Sequence, residues 1–265
     1  MTEPTDEAAR PAPPPPNKPR SLAAEVGVIV LGVLIALIAQ QTAQWLDWRG
    51  QAAEARKSLR GDELRLVGWA GEREAMSPCI DRRLTELTAI VQAASASGRL
   101  PPLAATAIPP RRAWTLRTWE TLTSSELLSH MPRQEVRHIA SLALYLESVR
   151  PMRDIEIANW SRLRALAGPG RAFGEGEAAQ MLAVLSNARD YAAYMRSNAI
   201  ELAQISRDTG LLSRAELEET WRKGFAIGQK VKVCEPLGAP GSPRPTQGSN
   251  LTDPPRPPWT MTPRE

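Results

Sequence analysis

Two cysteines, Cys79 and Cys234, are the residues of this sequence whose chemistry is easiest to test. Outside the cytoplasm, two cysteines in one domain favour a disulfide, because an oxidising compartment preserves the bond. We predict that this pair is bonded; the alternative is two buried, inert thiols. The topology leaves two arrangements open. If Pro151 reverses the chain, both cysteines fall at one end of an alternating bundle, whereas a kink at Pro151 separates them.

The histidines and serines that could act in catalysis lack the local spacing of a known active site. His130 and His138 are separated by a predicted helix break at Pro132, and no nucleophile motif accompanies them. The hydroxyl groups of Ser124 and Ser125 are predicted to hold a turn or a helix cap. We therefore predict no catalytic residue and no enzymatic activity, and a membrane-tethered hydrolase built from dispersed residues is the weakest alternative.

Composition and missing motifs argue against metal, cofactor and nucleic-acid binding. Two histidines and two cysteines are too few for a zinc site, which takes about four N or S ligands at short spacing. The glycine-rich stretch 168–176 lacks the Lys and Ser/Thr of a phosphate-binding loop and is predicted to be a flexible connection. The 33 basic and 29 acidic residues are interleaved, with a net charge of +4, whereas a nucleic-acid-binding surface concentrates Lys and Arg.

The elements that must position these residues are helices, because 45–234 contains no strand-like alternation of β-branched and aromatic residues. Apolar residues at intervals of three and four predict an all-α fold, and the short connections favour an antiparallel helical bundle. The first predicted helix runs from the membrane segment to about Ala75, and the second runs from Ser77-Pro78 to Ser97. A third runs from Trp114 to Leu128, a fourth from Pro132 to Pro151 and a fifth from there to about Ala167, and two final helices follow. Four glycines are predicted to weaken the first helix by about 1 kcal/mol each relative to alanine, namely Gly50, Gly61, Gly68 and Gly71.

The clearest apolar stripe lies on the first of the two final helices. We expect it to pack in the core of the domain and not to form a surface that binds a partner. Gly210 is predicted to end that helix, and Ser213 with Glu216 forms the S-x-x-E capping box that starts the last one. The members of the stripe are Met181, Leu185, Ala188, Ala192, Met195, Ala199 and Leu202, and the last helix carries Leu217, Trp221 and Phe225.

An uncharged apolar segment, Val26 to Ala39, predicts a transmembrane helix over residues 21–44. A helix from Leu22 to Ala43 is about 33 Å long, which is enough to span the hydrocarbon core of a bilayer. Trp45 and Trp48 then fall in the interfacial aromatic belt. The alternative is a cleaved signal peptide, but neither a good A-x-A site nor a lipoprotein cysteine follows the segment, which favours an uncleaved anchor.

Proline-rich ends flank these elements. Of the 24 prolines, most lie in residues 1–20 and 235–265, which are predicted to be disordered because they cannot bury enough apolar surface. The basic residues after the anchor outnumber Lys18 and Arg20 before it, so a raw count favours a cytoplasmic C-terminal domain. Long domains translocate largely regardless of charge, and we therefore predict a cytoplasmic tail and a periplasmic domain over 45–234.

Two blocks of sequence resemble a family of bacterial single-pass membrane proteins of unknown function. The first is E-V-G-V-I-V-L-G-V-L-I-A-L, Glu25 to Leu37, followed by two tryptophans and a charged helix. The second, Thr118 to Ser125 and on to Tyr145, is similar to a T-[WY]-x-x-L-x-S-S-G helix pair, with Glu126 in place of the glycine. The resemblance covers about 25–150 and implies an anchored helical protein without known activity or cofactor.

The favoured function is a non-enzymatic module of a bacterial inner membrane that binds a protein partner or acts as an envelope scaffold. The anchor contacts the lipid bilayer, and Gly32-x-x-x-Ala36 within it has a spacing that supports self-association of membrane helices. The alternative is a sensory ectodomain that signals through the helix from Leu22 to Ala75. That function needs a membrane partner, because residues 1–20 are too short to form an output domain.

Overall fold

The computed structural model describes residues 22–235 and residue 237, and this part of the chain is mostly helical. The predicted disordered ends therefore lie outside the described residues, except for residues 235 and 237. The elements in chain order are α1 (Leu22–Ser97), β1 (Arg99–Leu100), α2 (Arg117–Leu122), a 3-10 segment (Glu126–His130), α3 (Arg133–Leu163), a 3-10 segment (Arg164–Leu166), β2 (Arg171–Ala172), α4 (Glu175–Thr209), α5 (Arg214–Gly228) and a 3-10 segment (Lys232–Cys234).

Helix α1 continues through Ser77-Pro78, where the sequence predicted one helix to end and another to begin. That prediction was wrong, and the surrounding packing explains why. Ser77 is buried and its hydroxyl donates to the Arg73 carbonyl at 2.7 Å, while Met76 and Ile80 on either side belong to the core. Tertiary packing of these side chains offsets the backbone hydrogen bond that a proline removes from a helix.

Pro151 likewise lies inside one helix, α3, so it does not reverse the chain. Buried residues on both sides of it, Val149 and Glu156, hold α3 against the rest of the fold, and α3 packs along α4. The helix predicted from Trp114 to Leu128 is divided into α2 and the 3-10 segment Glu126–His130, with Ser124 and Ser125 between them.

The apolar stripe on α4 is confirmed as core. Its seven members are all buried, at no more than 7% exposure, and α4 ends at Gly210, which has φ of +72°. A left-handed residue at this position is the conformation that glycine adopts at least cost. The capping box at the start of α5 is also confirmed, because Ser213 and Glu216 exchange side-chain and backbone hydrogen bonds.

A short antiparallel strand pair joins the two long connections, and the sequence prediction of helices alone missed it. Arg99 pairs with Ala172 and Leu100 with Arg171, and Leu103 forms an isolated bridge with Gly168. The stretch 168–176, predicted to be a flexible connection, is therefore held against the chain that follows α1. Strands of two residues are too short to show an alternating pattern.

Helices α1 and α5 cross with their backbones in contact. A Cβ atom on Gly224 would overlap the backbone of Gly68, and one on Gly71 would overlap the carbonyl oxygen of Trp221. A Cβ on Gly228 would overlap the Glu72 carbonyl in the same way. Gly71, predicted only to weaken α1, is thus required for a close helix crossing, whereas a Cβ atom on Gly68 would make an ordinary contact with the Thr220 side chain at 3.7 Å.

The chain divides into two compact units, Met1–Arg49 and Gly50–Glu265. The described part of the first unit is the N-terminal portion of α1, whose large apolar side chains from Val26 to Ile38 are 49% to 72% exposed. Among the described residues, α1 is the one helix that is long and apolar enough to cross a membrane, by length and composition. The second unit contains the buried core.

Candidate functional site

Cys79 and Cys234 form a disulfide in the second unit, with 2.06 Å between the sulfur atoms and 4.7 Å between the Cα atoms. The pair predicted from the sequence is therefore joined, although neither cysteine lies where the predicted helix boundaries placed it. Cys79 lies within α1, and Cys234 ends the 3-10 segment after α5. Both predicted breaks, at Ser77-Pro78 and at Pro151, are absent. The prediction that a continuous helix at Pro151 separates the cysteines was wrong, because Cys79 lies inside α1 and not at the end of a helix.

Two arginines on α1 hold the segment around Cys234. Arg82 and Arg83 lie three and four residues after Cys79, which places all three on one face of the helix. Arg82 Nη2 donates to the Cys234 carbonyl at 2.6 Å, and Arg83 donates to the Glu235 carbonyl and, at 2.9 Å, to that of Thr106. Burial lowers the pKa of Arg83, and the nearby Glu86 opposes this effect. The spacing C-x-x-R-R was visible in the sequence, but nothing in it indicated carbonyl partners.

A buried ion pair lies at the middle of the second unit. Arg73 of α1 donates to both carboxylate oxygens of Glu156 on α3, at 2.7 and 3.1 Å, and to the Ala192 carbonyl on α4 at 2.9 Å. The side chains of Arg73 and Glu156 are only 4% and 8% exposed. One guanidinium therefore links three helices, an arrangement that the helical pattern of the sequence did not predict.

The neighbouring residue, Glu72, pairs with a different part of the chain. Its carboxylate is 2% exposed and accepts two hydrogen bonds from Arg112, at 2.7 and 2.8 Å. The Arg112 guanidinium also lies 6.0 Å from the ring centre of Trp69, within the range of a cation–π contact. These contacts fix the loop between β1 and α2 against α1.

These two ion pairs border a small cavity of about 30 Å³. Trp69, Arg73 and Met76 of α1 line one side, and the loop 108–112 with Trp114 lines another. The remaining lining residues come from α3 and α4, namely Arg153, Glu156, Ile157, Trp160 and Met195. Its lining mixes arginines with tryptophan, methionine and proline side chains, and the cavity has room for a few water molecules or a group of a few heavy atoms.

Glu63 is a further buried ionisable group of α1. It is fully buried, and one carboxylate oxygen accepts a hydrogen bond from Thr209 Oγ1 at 2.8 Å, while the other has no hydrogen-bond partner among the described residues. Burial raises the Glu63 pKa from 4.5 to about 7, against the opposite effect of the hydroxyls of Thr209 and Ser206. Near neutral pH this carboxyl group can therefore hold or release a proton.

The residues considered for catalysis do not form an active site around a cavity. Ser124 and Ser125 are exposed, and their hydroxyls donate to the carbonyls of Thr121 and Leu122 at 2.8 Å, as predicted for a turn. His130 is exposed at the end of a 3-10 segment, and His138 lies half-buried in α3. In the part of the chain that the structure describes, no group of three or more His, Cys, Asp or Glu residues could hold a metal ion.

Comparison with known proteins supplies no relative from which a role could be transferred. No family model, no curated protein and no solved structure matches this chain. The functional argument therefore depends on the residues and contacts described above.

Proposed function

We propose that the protein is a single-pass protein of a bacterial inner membrane whose residues 45–234 form a non-enzymatic binding or scaffold module in the periplasm. In this proposal, residues 21–44 are an uncleaved anchor that contacts the lipid bilayer. The module binds a protein partner or a second copy of the chain and does not bind nucleic acid. The resemblance of the anchor block to bacterial single-pass membrane proteins agrees with this assignment.

The exposed apolar surface of the first unit is the observation that carries the proposal. Between Val26 and Ile38 the large apolar side chains are at least 49% exposed on all sides of the helix. A helix that is apolar all round requires an apolar environment, and lipid provides one. All of its backbone groups bond within the helix, which is the condition for crossing hydrocarbon.

The Cys79–Cys234 bond supports the periplasmic side. Disulfides persist in oxidising compartments and are rare in the reducing cytoplasm. The alternative orientation, with residues 45–234 in the cytoplasm, would place this bond where thiols are kept reduced.

The polar contacts of the second unit are typical of a structural role, which agrees with a non-enzymatic module. Several of its buried charged groups are engaged in ion pairs, as in Arg73–Glu156 and Glu72–Arg112. The serine hydroxyls considered as nucleophiles donate to backbone carbonyls in an exposed turn. These groups stabilise the fold and are not arranged as a nucleophile with an adjacent base.

A sensory function is the second candidate, and the continuity of α1 favours it. The helix that contains the apolar segment also contributes Trp69, Arg73 and Met76 to the cavity. A ligand in the cavity would thus contact the helix that continues toward the anchor. In this candidate function a membrane partner receives the signal.

The orientation is tested by cysteine labelling in a C79S/C234S background that carries one new cysteine. We expect a membrane-impermeant maleimide to label exposed Ser129→Cys in intact spheroplasts, and to label Thr5→Cys only after the membrane is permeabilised. The reverse pattern would reject the periplasmic assignment. Recovery of a mature chain that lacks residues 21–44 would reject the anchor.

The binding role is tested by crosslinking the full chain in native membranes and identifying the crosslinked species by mass spectrometry. A defined protein partner or a homodimer is expected. Turnover of a substrate that is abolished by changing one polar residue would contradict the non-enzymatic assignment. Crosslinks to a membrane protein that carries a cytoplasmic output domain would favour the sensory function over the scaffold.

A further inference from the structure

The small cavity beside the buried ion pairs has an excess of positive charge. Four arginines line it, namely Arg73, Arg111, Arg112 and Arg153, and Glu156 is the carboxylate among the lining residues. Arg73 pairs with Glu156 and Arg112 with Glu72, so these four groups compensate one another. These two ion pairs do not compensate the positive charges of Arg111 and Arg153.

Neither of these two arginines is neutralised by a buried carboxylate. Arg111 donates to the neutral hydroxyl of Ser161 at 3.2 Å and forms no ion pair among the described residues. Arg153 pairs at 2.7 Å with its neighbour Asp154, whose side chain is 56% exposed and hydrated. Solvent screens the charge of Asp154, and Arg111 has no carboxylate partner among the described residues, so the cavity favours a negatively charged occupant.

Two hydrogen-bond donors on the cavity lining are buried without an acceptor. Arg73 Nε and Trp160 Nε1 have no hydrogen-bond partner among the described residues, although their residues are only 4% and 3% exposed. A buried donor without an acceptor is unfavourable, because the hydrogen bond to water that it loses on burial is not replaced. Both groups are N–H donors on residues that line the cavity, so the lining offers donors to an acceptor placed there.

We propose that this cavity binds one small anionic group, of the size and chemistry of a carboxylate. The free donors require an acceptor, the arginines favour negative charge, and the volume of about 30 Å³ limits the occupant to a few heavy atoms. Formate and acetate carry the group in its smallest form. Sulfate, which is larger, tetrahedral and doubly charged, is the control for shape and size.

This site lies within residues 69–195 and does not depend on the membrane anchor, on the orientation or on the scaffold role. The two proposals can therefore fail separately. A carboxylate site in a protein that proves to be cytoplasmic would still stand.

The test uses the full chain in detergent micelles with the disulfide intact. Binding of 13C-formate is followed by NMR line broadening, at constant ionic strength, with sulfate as the size control. We expect saturable binding of formate, competition by acetate and no competition by an equal ionic strength of sulfate. Absence of saturation up to about 50 mM formate, or equal competition by sulfate, would overturn the proposal and leave water as the occupant.

Variants locate the binding within the protein. Arg111→Gln changes an exposed loop residue, and Trp160→Phe retains the aromatic ring while removing its N–H group. Each is expected to weaken formate binding about 10-fold or more, the range for one charge-assisted or buried hydrogen bond. Arg214→Gln removes an exposed arginine that pairs with Glu218 on α5 and is the matched control. Equal affinities in R111Q, R214Q and the parent protein would reject this cavity as the site.

Discussion

Two stretches of helix α1 show opposite relations between polarity and burial. From Val26 to Ile38 large apolar side chains are exposed, whereas farther along the same helix charged side chains are buried, among them Glu63, Glu72, Arg73 and Arg83. Both arrangements are costly in water unless the environment compensates. In the proposed function lipid supplies the apolar environment of the first stretch, whereas the second stretch obtains its polar partners from other elements of the chain.

The contrast shows why one helix can serve two purposes without a break. In the first stretch only overall hydrophobicity matters, so the side chains are interchangeable within the apolar class. In the second stretch each charged residue has specific partners, such as Glu156 for Arg73 and the backbone carbonyls for Arg83. Substitutions should therefore act through composition in the first stretch and through individual contacts in the second.

The largest expected effect comes from placing charge in the first stretch. Leu34→Arg with Leu37→Arg should prevent stable membrane association, because each arginine near the centre of a membrane helix costs about 3 kcal/mol on insertion. Carbonate extraction of membranes measures the loss. The matched control is Leu34→Ala with Leu37→Ala, which should stay in the membrane fraction. If the double arginine variant stayed in the membrane fraction, the proposed difference between the two stretches would be contradicted.

Removing a partner in the second stretch should have the next largest effect. Glu156→Ala leaves Arg73 buried without its carboxylate and should lower the free energy of unfolding by about 4 kcal/mol, measured by chemical denaturation in detergent. Glu147→Ala, which breaks the exposed Glu147–Arg150 pair, should cost less than about 1 kcal/mol. The combination Arg73→Met with Glu156→Leu should be less destabilised than Glu156→Ala alone. Equal losses in the E156A and E147A variants would mean that burial of the pair has no consequence.

Glu63 should make the stability of the second unit depend on pH. Its pKa is about 7 in the folded protein, against 4.5 ordinarily, so the native state binds more protons between these values. The contribution of Glu63 to the free energy of unfolding is fully present below pH 4.5 and is lost as the pH rises through 7. The total change in the free energy of unfolding is on the order of 3 kcal/mol.

The Glu63→Gln variant cannot lose a proton and should not show this decline between pH 5 and 8, which denaturation midpoints at several pH values would measure. Glu54→Gln changes a carboxylate of α1 that is 72% exposed and should leave the decline unchanged. A decline of the same size in E63Q would assign the pH dependence to another group.

The smallest expected effect distinguishes two glycines of the second unit. Gly224→Ala should destabilise the protein by about 2 kcal/mol, because the added Cβ meets the backbone of Gly68. Gly61→Ala places a methyl group in open space on α1 and should stabilise the helix by up to about 1 kcal/mol. Thermal unfolding of both variants gives the comparison. If the unfolding temperature changed in the same direction in both variants, helix propensity, and not the crossing with α5, would determine the effect of alanine at these positions.

The elements that local pattern determines were predicted well. The stripe from Met181 to Leu202 is core, Gly210 ends α4, and Ser213 with Glu216 caps α5. Each of these signals is contained within a few turns of one helix, so no distant residue is needed to interpret it. The apolar segment is predicted for the same reason, since its length and composition alone make α1 a candidate membrane span.

The candidate site was predicted only in part. The sequence identified Cys79 and Cys234 as a pair, but it did not indicate the arginines that hold Cys234, the ion pair of Arg73 or the cavity beside it. A single charged residue on a helix is usually solvated, so its burial cannot be inferred until its partner is known. Here the partners are distant in the chain, as with Arg73 and Glu156.

By itself, the sequence determined that the chain is helical, where its apolar segment lies and how α4 and α5 end or begin, because short-range propensity, periodicity and capping suffice for these. Only the tertiary structure decided that Pro78 and Pro151 lie within continuous helices and that Gly68 meets Gly224. The hydrogen bonds from Arg82 and Arg83 to the carbonyls around Cys234 were likewise known only from the tertiary structure. In each of these cases, residues far apart in the chain supply the compensating contact, and no local pattern encodes it.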